Sequence, residues 1–288
     1  MFTLNCNGRL LTIDSPIVMG VINVNNDSFY SGSRQTIEKD ILATAETMLE
    51  EGATILDIGG QSTRPGSIAV LEKDELERVV PVIASIQKHF PESFISIDTY
   101  YASVAKQAVD VGAGFVNDIS AGSMDADMWE VIAGLNVPYV LMHMKGTPAT
   151  MQQNPQYDDV LQEVLDFMIQ KKAALQERGI KDIIIDPGYG FGKTIDHNFM
   201  LLENQQVFKM LDCPVLLGIS RKSTIYKTLN TDAENALNGT TVLNTIGLLQ
   251  GADILRVHDV KPAMEAIKLV ERMNKNPRKK ALHLHSSL

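Results

Sequence analysis

Basic side chains gather late in the sequence, at the ends of two apolar runs. Arg256 and His258 are two residues apart, so in a β-strand their side chains project from the same face. Arg221 and Lys222 follow the preceding apolar run, within the letters SRKS. Four such groups in a protein of net charge -9 predict a pocket for an anion such as phosphate. The alternative is that Arg221 and Arg256 pair with nearby acids such as Asp253 and Asp259.

Acidic and amide side chains end three other apolar runs, at Asp98, Asn117 and Asp186. A carboxylate accepts a pair of N–H donors, and each charge-assisted hydrogen bond contributes about 1.5 to 3 kcal/mol. Two carboxylates and an amide brought together would therefore bind the donor-rich edge of a flat heterocycle, such as a purine or a pterin. For Asp98 the alternative is a helix N-cap, because a helical pattern follows it.

Motifs for other chemistry are weak or missing. The run DPGYGFGK at 186–193 is rich in glycine, but its spacing fits neither the P-loop nor the dinucleotide fingerprint. The patterns HExxH and CxxC do not occur, which disfavours a zinc or iron site. Structural or surface roles are expected for His89, His143 and His197. Magnesium needs few protein ligands, and the amide of Asn23, which ends an apolar run, suits it.

Eight short apolar runs alternate with segments that have apolar residues at helical spacing. Strands that are apolar on both sides and alternate with helices belong to parallel sheets, since crossover helices cover the faces. Eight such units in 288 residues predict one closed (β/α)8 barrel of the α/β class. The active site of such a barrel lies at the C-terminal ends of its strands, and the last two loops usually bind phosphate. The eight runs are 17–23, 54–60, 94–99, 115–120, 138–144, 182–188, 214–220 and 253–259.

The chain is predicted to have three parts. Residues 1–14 form a β-hairpin around Asn7-Gly8, a strong turn signal, and this hairpin is expected to plug the barrel floor. Residues 15–272 show no linker or break in composition and form the barrel as one domain. Residues 273–288, which include the basic letters NPRKK, are expected to be a flexible, solvated C-terminal tail.

Composition excludes several classes of protein. With 44% hydrophobic and 21% charged residues the chain is typical of a soluble globular protein, and no apolar run approaches the length of a membrane helix. A net charge of -9 argues against nucleic acid as the main partner. Two cysteines do not make a disulfide framework, and no basic segment leads into an apolar one at the start. A cytoplasmic location is expected.

Eight motifs in the same order as in a known family carry a resemblance that covers about residues 15–270. The chain resembles the bacterial dihydropteroate synthases of folate biosynthesis. The motifs are MGVINV, GGQSTRPG, SIDT, NDIS, LMHMKGTP, IIDPGYGFGK, GISRKS and LRVHDV.

The resemblance implies a transferase that condenses 6-hydroxymethyl-7,8-dihydropterin diphosphate with 4-aminobenzoate, giving 7,8-dihydropteroate and pyrophosphate with Mg2+ as cofactor. It also implies a homodimer and competition by sulfonamides at the aminobenzoate position. By motif, the pterin pocket would be Asp98, Asn117, Met142, Asp186, Gly218 and Lys222. The diphosphate would meet Asn23, Arg256 and His258, with Asn23 as the magnesium ligand. The aminobenzoate would lie against Thr63, Arg64, Pro65, Phe191 and Ser223.

The loop after the first apolar run departs from the family pattern. The usual NVTPDSF is NVNNDSF here, so Asn25 and Asn26 replace Thr-Pro, and Ser31 stands where an Asp is expected. By the resemblance this loop would be a mobile lid with Asn23 at its base, and loss of the proline removes a fixed φ and loosens it.

Two alternatives remain open. One is a non-catalytic pterin-binding paralogue that has lost turnover through its altered first loop. The other is a methyltetrahydrofolate methyltransferase with a corrinoid partner, whose relatives share DIG, SIDT and ND with this chain but would not be expected to have the STRPG and SRKS loops.

Overall fold

The computed structural model describes residues 1–24, 34–61 and 70–274, with the backbone alone for 34–37. After a two-stranded N-terminal hairpin, eight strands alternate with nine α-helices along the described residues, with a 3-10 helix at Gln205–Leu211. The strands are β1 (Phe2–Cys6), β2 (Arg9–Ile13), β3 (Ile17–Asn23), β4 (Ile55–Gly59), β5 (Phe94–Asp98), β6 (Phe115–Asp118), β7 (Tyr139–Met142), β8 (Ile183–Asp186), β9 (Leu216–Leu217) and β10 (Ile254–Val257). The helices are α1 (Arg34–Glu50), α2 (Glu72–His89), α3 (Ala102–Asp110), α4 (Met128–Leu135), α5 (Val160–Glu177), α6 (Ile195–Glu203), α7 (Ser223–Thr228), α8 (Leu237–Leu249) and α9 (Val260–Asn274).

Strands β3 to β10 form one parallel sheet in the order β8-β7-β6-β5-β4-β3-β10-β9. A parallel bridge between Ile185 and Val215 joins the two ends of that order, and Ile185 N donates to Pro214 O at 2.9 Å. The sheet therefore closes, and the predicted (β/α)8 barrel is confirmed. Each predicted run contains one of these strands. The runs are apolar on both faces because one face of each strand lines the barrel interior and the other packs against the surrounding helices.

The predicted hairpin covers the floor of the barrel. Asn7 and Gly8 both have positive φ, 53° and 82°, as a tight two-residue turn between antiparallel strands requires. Leu4, Leu11 and Ile13 are buried against the first inward-facing side chains of the barrel strands. These side chains are Met19, Ile55, Phe94, Phe115, Val140, Ile184, Leu216 and Ile254.

The C-terminal boundary differs slightly from the prediction. Helix α9 runs to Asn274, two residues past the expected end of the barrel at 272, and residues 275–288 lie outside the described part of the chain. Among the helices that the structure describes, none is long and apolar enough to cross a membrane.

Candidate active site at the barrel mouth

The polar residues of the mouth follow from the two-residue period of the strands. Ile184 and Ile254 belong to the floor layer, and Asp186 and Arg256 come two residues later, so they point into the same interior one step nearer the mouth. The same step from the floor layer leads to Asp57, Asn117, Met142 and Gly218. The structure thus brings the sequence-predicted residues Asn117, Met142, Asp186, Gly218 and Arg256 together in one cup, with Asp57 beside them.

Arg256 lies between two carboxylates of this cup. Its Nε donates to Asp57 Oδ2 at 2.7 Å, and its Nη2 donates to Asp98 Oδ2 at 2.6 Å. Asn117 Nδ2 donates to the same oxygen of Asp57 at 3.1 Å. Burial lowers the pKa of Arg256, but the negative charges of Asp57 and Asp98 raise it by more, so the net shift is upward. The guanidinium therefore stays charged.

The capping alternative for Asp98 is wrong. Helix α3 begins four residues later at Ala102, and the Ala102 N–H donates to Asp125 Oδ2 at 2.7 Å instead. Asp98 faces the mouth, where burial raises its pKa to about 7 although Arg256 acts in the opposite direction.

Asp186 forms the opposite acidic wall with Lys222 beside it. Asp186 Oδ1 accepts from Gly188 N at 2.7 Å. A Cβ placed on Gly218 would lie 3.7 Å from Asp186 Oδ2 and 3.8 Å from Lys222 Nζ, so the three residues border one space. Burial raises the pKa of Asp186 against the effect of Lys222. Burial likewise lowers the pKa of Lys222 to about 8, and its ammonium donates to Tyr189 O at 2.6 Å.

His258 and Asn23 form the exposed rim. His258 Nδ1 lies 3.1 Å from Ser220 Oγ, which holds the ring at the end of β10. Partial burial and the neighbouring Arg256 lower the pKa of His258 to about 4, so the ring is neutral near pH 7. The amide of Asn23 lies close to Asp98, since a Cβ on Gly59 would be 3.8 Å from Asn23 Oδ1 and 3.6 Å from Asp98 Cβ.

Arg221 does not join the anion pocket. Its Nε and Nη2 donate to the two oxygens of Asp259 at 2.7 and 2.8 Å, and its Nη1 donates to the carbonyls of Ala233 and Glu234. The alternative of pairing with Asp259 is therefore correct for Arg221. It is wrong for Arg256, whose partners come from distant strands.

An apolar wall closes one side of the cup. Met142 and Phe191 are buried in a small cluster with Tyr100, Ile119 and Met151. The Lys222 ammonium lies 4.5 Å from the centre of the Phe191 ring, a distance typical of a cation–π contact. Ser223, the first residue of α7, is half-buried. A flat ring system would find apolar side chains on its faces and carboxylates at its edges here.

Lys193 is a site-supporting residue that the sequence did not reveal. Its ammonium is buried and lies within hydrogen-bond distance of four acceptors: His143 Nδ1 at 2.9 Å and the carbonyls of His143, Gly188 and Phe191 at 3.2, 2.9 and 3.0 Å. Burial lowers the pKa of Lys193 to about 7, and burial together with Lys193 lowers that of His143 to about 2, so His143 accepts as a neutral ring. The glycine-rich run therefore wraps a buried lysine rather than a phosphate. His143 has the structural role expected for it.

Gly188 allows this wrapping, because its φ is +74° and an added Cβ would lie 1.8 Å from His143 O. Gly188→Ala is expected to lower the free energy of unfolding by well over the roughly 1 to 2 kcal/mol of a left-handed alanine. Gly179→Ala is the matched control, since its φ is +83° but a Cβ there meets nothing within 4 Å. Urea unfolding of both variants measures the difference, and equal losses would contradict a close packing role for Gly188.

A buried polar cluster fixes both ends of the loop after β4. Gln61 Oε1 accepts from Val70 N at 3.1 Å and from Tyr100 Oη at 3.1 Å, while Gln61 Nε2 donates to Glu75 Oε2 at 2.7 Å. The predicted aminobenzoate residues between these ends lie outside the described residues, and so do those that depart from the family pattern in the first loop. They are Thr63, Arg64, Pro65, Asn25, Asn26 and Ser31. Their roles, and the lid, stay predictions.

Glu75 gives the protein a pH-dependent stability. Burial raises its pKa from 4.5 to about 7, although the hydrogen bond from Gln61 lowers it. Between pH 4.5 and about 7 the folded state holds a proton on Glu75 that the unfolded state has lost. The free energy of unfolding therefore falls as pH rises through this range. The total fall is about 3 kcal/mol for this difference in pKa. We expect Glu75→Gln to lose correspondingly less stability over this range in urea unfolding. Glu77→Gln on the same helix controls for net charge, and parallel curves for Glu75→Gln and wild type would refute the assignment.

The residues at the rim fit a magnesium ion held chiefly by a ligand's phosphates. Among the residues that the structure describes, no group of three His, Cys, Asp or Glu side chains forms a metal site. Magnesium needs only one or two oxygen ligands from the protein, and the exposed amide oxygen of Asn23 meets that need.

The chain matches known proteins along most of its length. The family model described as pterin binding enzyme matches residues 19–258. A dihydropteroate synthase of Escherichia coli (strain K12) is 42% identical over 266 residues, which cover 92% of this chain and 94% of that enzyme. The dihydropteroate synthase of Yersinia pestis, solved with a sulfonamide drug complex, superposes with a TM-score of 0.89 at 37% identity and covers 96% of this chain and 100% of its own. That of Xanthomonas albilineans in complex with 7,8-dihydropteroate has a TM-score of 0.84 at 35% identity and covers 96% and 99%.

Proposed function

The chain belongs to the family of pterin-binding enzymes, and we propose that the cup at its barrel mouth carries out dihydropteroate synthesis. It is a transferase of folate biosynthesis that joins 6-hydroxymethyl-7,8-dihydropterin diphosphate to 4-aminobenzoate, releasing pyrophosphate. Residue roles, magnesium, dimerisation and location are parts of the proposal.

One observation carries the assignment of roles. The cup is acidic at Asp98 and Asp186 and cationic at Arg256, whose charge lowers the pKa of both carboxyl groups within a single interior. The dihydropterin has a donor-rich edge and an anionic leaving group. A cup with both kinds of wall fits both ends of that one substrate.

The pterin edge is proposed to lie against Asp98, Asn117 and Asp186. A carboxyl group accepts on both oxygens without donating only when it is ionised. The ligand's N–H groups would favour this ionised form and so oppose the burial that raises the pKa of the two acids. Met142 and Gly218 would border the ring faces, and Lys222 would balance the charge of Asp186.

The reaction exchanges one bond at the exocyclic CH2 of the pterin. The C–O bond to the diphosphate breaks, and its electron pair leaves with the pyrophosphate oxygen. The amine nitrogen of 4-aminobenzoate forms the new C–N bond and then loses a proton to solvent. Positive charge develops on the pterin as negative charge departs, so preorganised Asp98 and Asp186 stabilise one end of the transition state and Arg256 the other.

His258 is proposed to donate a hydrogen bond to the leaving group, and its ring is neutral near pH 7 in the ligand-free protein. Asn23 would hold magnesium against the diphosphate, and the ion supplies further positive charge to the departing anion when bound.

The aminobenzoate is proposed to lie beside Phe191 and Ser223, with Thr63, Arg64 and Pro65 on the other side. Sulfonamides, which resemble it, would compete there, as the drug complex of the Yersinia pestis enzyme supports. A homodimer in the cytoplasm completes the proposal.

The test mixes purified protein with Mg2+, the pterin diphosphate and labelled 4-aminobenzoate. Labelled dihydropteroate and released pyrophosphate in equal amounts are expected. Pterin binding without product would favour the non-catalytic paralogue, and methyl transfer from methyltetrahydrofolate would favour the methyltransferase. Addition of EDTA tests the metal, since turnover that survives it would contradict a need for magnesium.

A further inference from the structure

Asp57 connects two residues of the proposed site without facing the rim itself. It is fully buried in the middle of β4. Its Oδ2 accepts from Arg256 Nε at 2.7 Å and from Asn117 Nδ2 at 3.1 Å. Its other oxygen, Oδ1, is buried and accepts no hydrogen bond from the residues that the structure describes. Both contacts of Asp57 therefore converge on one atom.

We infer that Asp57 is a positioning residue for the transfer reaction, which aims Arg256 at the leaving group and sets the Asn117 amide with its oxygen toward the pterin. This inference rests on the proposed function. A carboxylate can only accept, so the nitrogen of the Asn117 amide must face Asp57. The amide oxygen is then the atom left for a ligand. Asn117 thereby selects an edge that carries donors.

The two anchors of Arg256 differ in what else they do. Asp98 also belongs to the proposed pterin pocket, and its side chain is 11% exposed against 0% for Asp57. When the pterin binds Asp98, the hydrogen bond from Arg256 Nη2 to Asp98 breaks. The hydrogen bond from Arg256 Nε to Asp57 remains. The terminal N–H groups then turn to the diphosphate without the guanidinium leaving its place. Pterin binding is in this way coupled to capture of the anion.

Asp57→Asn tests the inference with little change of shape. The amide oxygen can replace Oδ2 as acceptor for both donors, and the amide nitrogen takes the place of the oxygen that has no partner. Asp98 still neutralises Arg256. Asp57→Ser is measured beside it, so that the comparison survives if either variant fails to fold.

We expect Asp57→Asn to lower kcat/KM for the pterin diphosphate by about 10- to 100-fold, because the acceptor of Arg256 Nε stays in place but loses the charge that strengthens its bond to the guanidinium. This loss is smaller than that of a direct donor to a developing charge. Affinity for pyrophosphate should fall with it, while the Kd of the pterin alcohol stays within about threefold, because the bond from the uncharged Asn117 amide depends less on the charge of its acceptor. In the background of Arg256→Lys the substitution should cost little, since residues that act through one another are not additive.

Asp253→Asn is the matched control at the other end of the barrel. Asp253 lies three residues before Arg256, just ahead of β10. Its carboxylate pairs with the Lys209 ammonium at 2.6 Å. Its loss should alter stability and leave the two ligand affinities in their wild-type ratio. Equal losses for pterin diphosphate and pterin alcohol in Asp57→Asn, or full additivity with Arg256→Lys, would overturn the inference. A wild-type protein without turnover would instead overturn the proposed function.

Discussion

Asp186→Asn is expected to weaken binding of the pterin by roughly 2 kcal/mol or more, which is about a 30-fold rise in Kd. The asparagine can still accept from Gly188 N, but it places an NH2 group where the carboxylate oxygen bordered Gly218 and Lys222. A donor would then face the donor-rich edge of the ligand. Calorimetric titration with the pterin alcohol measures the change without turnover.

Asp182→Asn is the control for this prediction. Asp182 lies just before the same strand, four residues from Asp186, and accepts from Asn5 N of the floor hairpin at 2.8 Å. The same chemical change at the closed end should cost stability but not pterin affinity. Unchanged affinity in Asp186→Asn, or an equal loss in both variants, would refute the contact.

Arg256→Ala is expected to reduce kcat/KM for the pterin diphosphate by at least about 100- to 1,000-fold, as removal of a preorganised donor to a developing charge does. Binding of the pterin alcohol should suffer far less, because it has no diphosphate. The variant also leaves Asp57 and Asp98 without their cation, and loss of one partner of a buried ion pair costs about 3 to 5 kcal/mol of stability. Kinetics are therefore measured well below the melting temperature.

Arg221→Ala separates the two effects. Arg221 is a second arginine near the mouth, its side chain is 24% exposed, and it is paired with Asp259 at 2.7 Å. Its removal should lower the melting temperature while keeping the wild-type preference for the diphosphate over the alcohol. If Arg256→Ala lost both ligands equally, Arg256 would not act on the anion.

The strands and the inward direction of their side chains were predictable from sequence, because two simple periods govern them. Runs apolar on both sides located β3 to β10, and the step of two residues placed Arg256 and His258 on one face. The hairpin was predictable from Asn7-Gly8 for the same kind of reason, since few residues adopt positive φ readily.

The partners of Arg256 were not predictable, because they depend on which strands become neighbours across the barrel, and Arg256 and Asp57 are 199 positions apart. Asp259 could be named as a partner of Arg221, since it lies 38 positions away in the next strand unit. The sequence offered no reason to separate the two arginines. Lys193 was not predicted for a related reason. Its neighbours along the chain do not indicate that its ammonium is buried among four acceptors.

The hairpin beneath the barrel limits how ligands enter and leave the cup. Leu4, Leu11 and Ile13 pack against the floor layer of the strands, so within the residues that the structure describes the cup is closed at the hairpin end. A ligand that contacts Asp186 and Asn117 therefore has to enter and leave on the side of the rim residues.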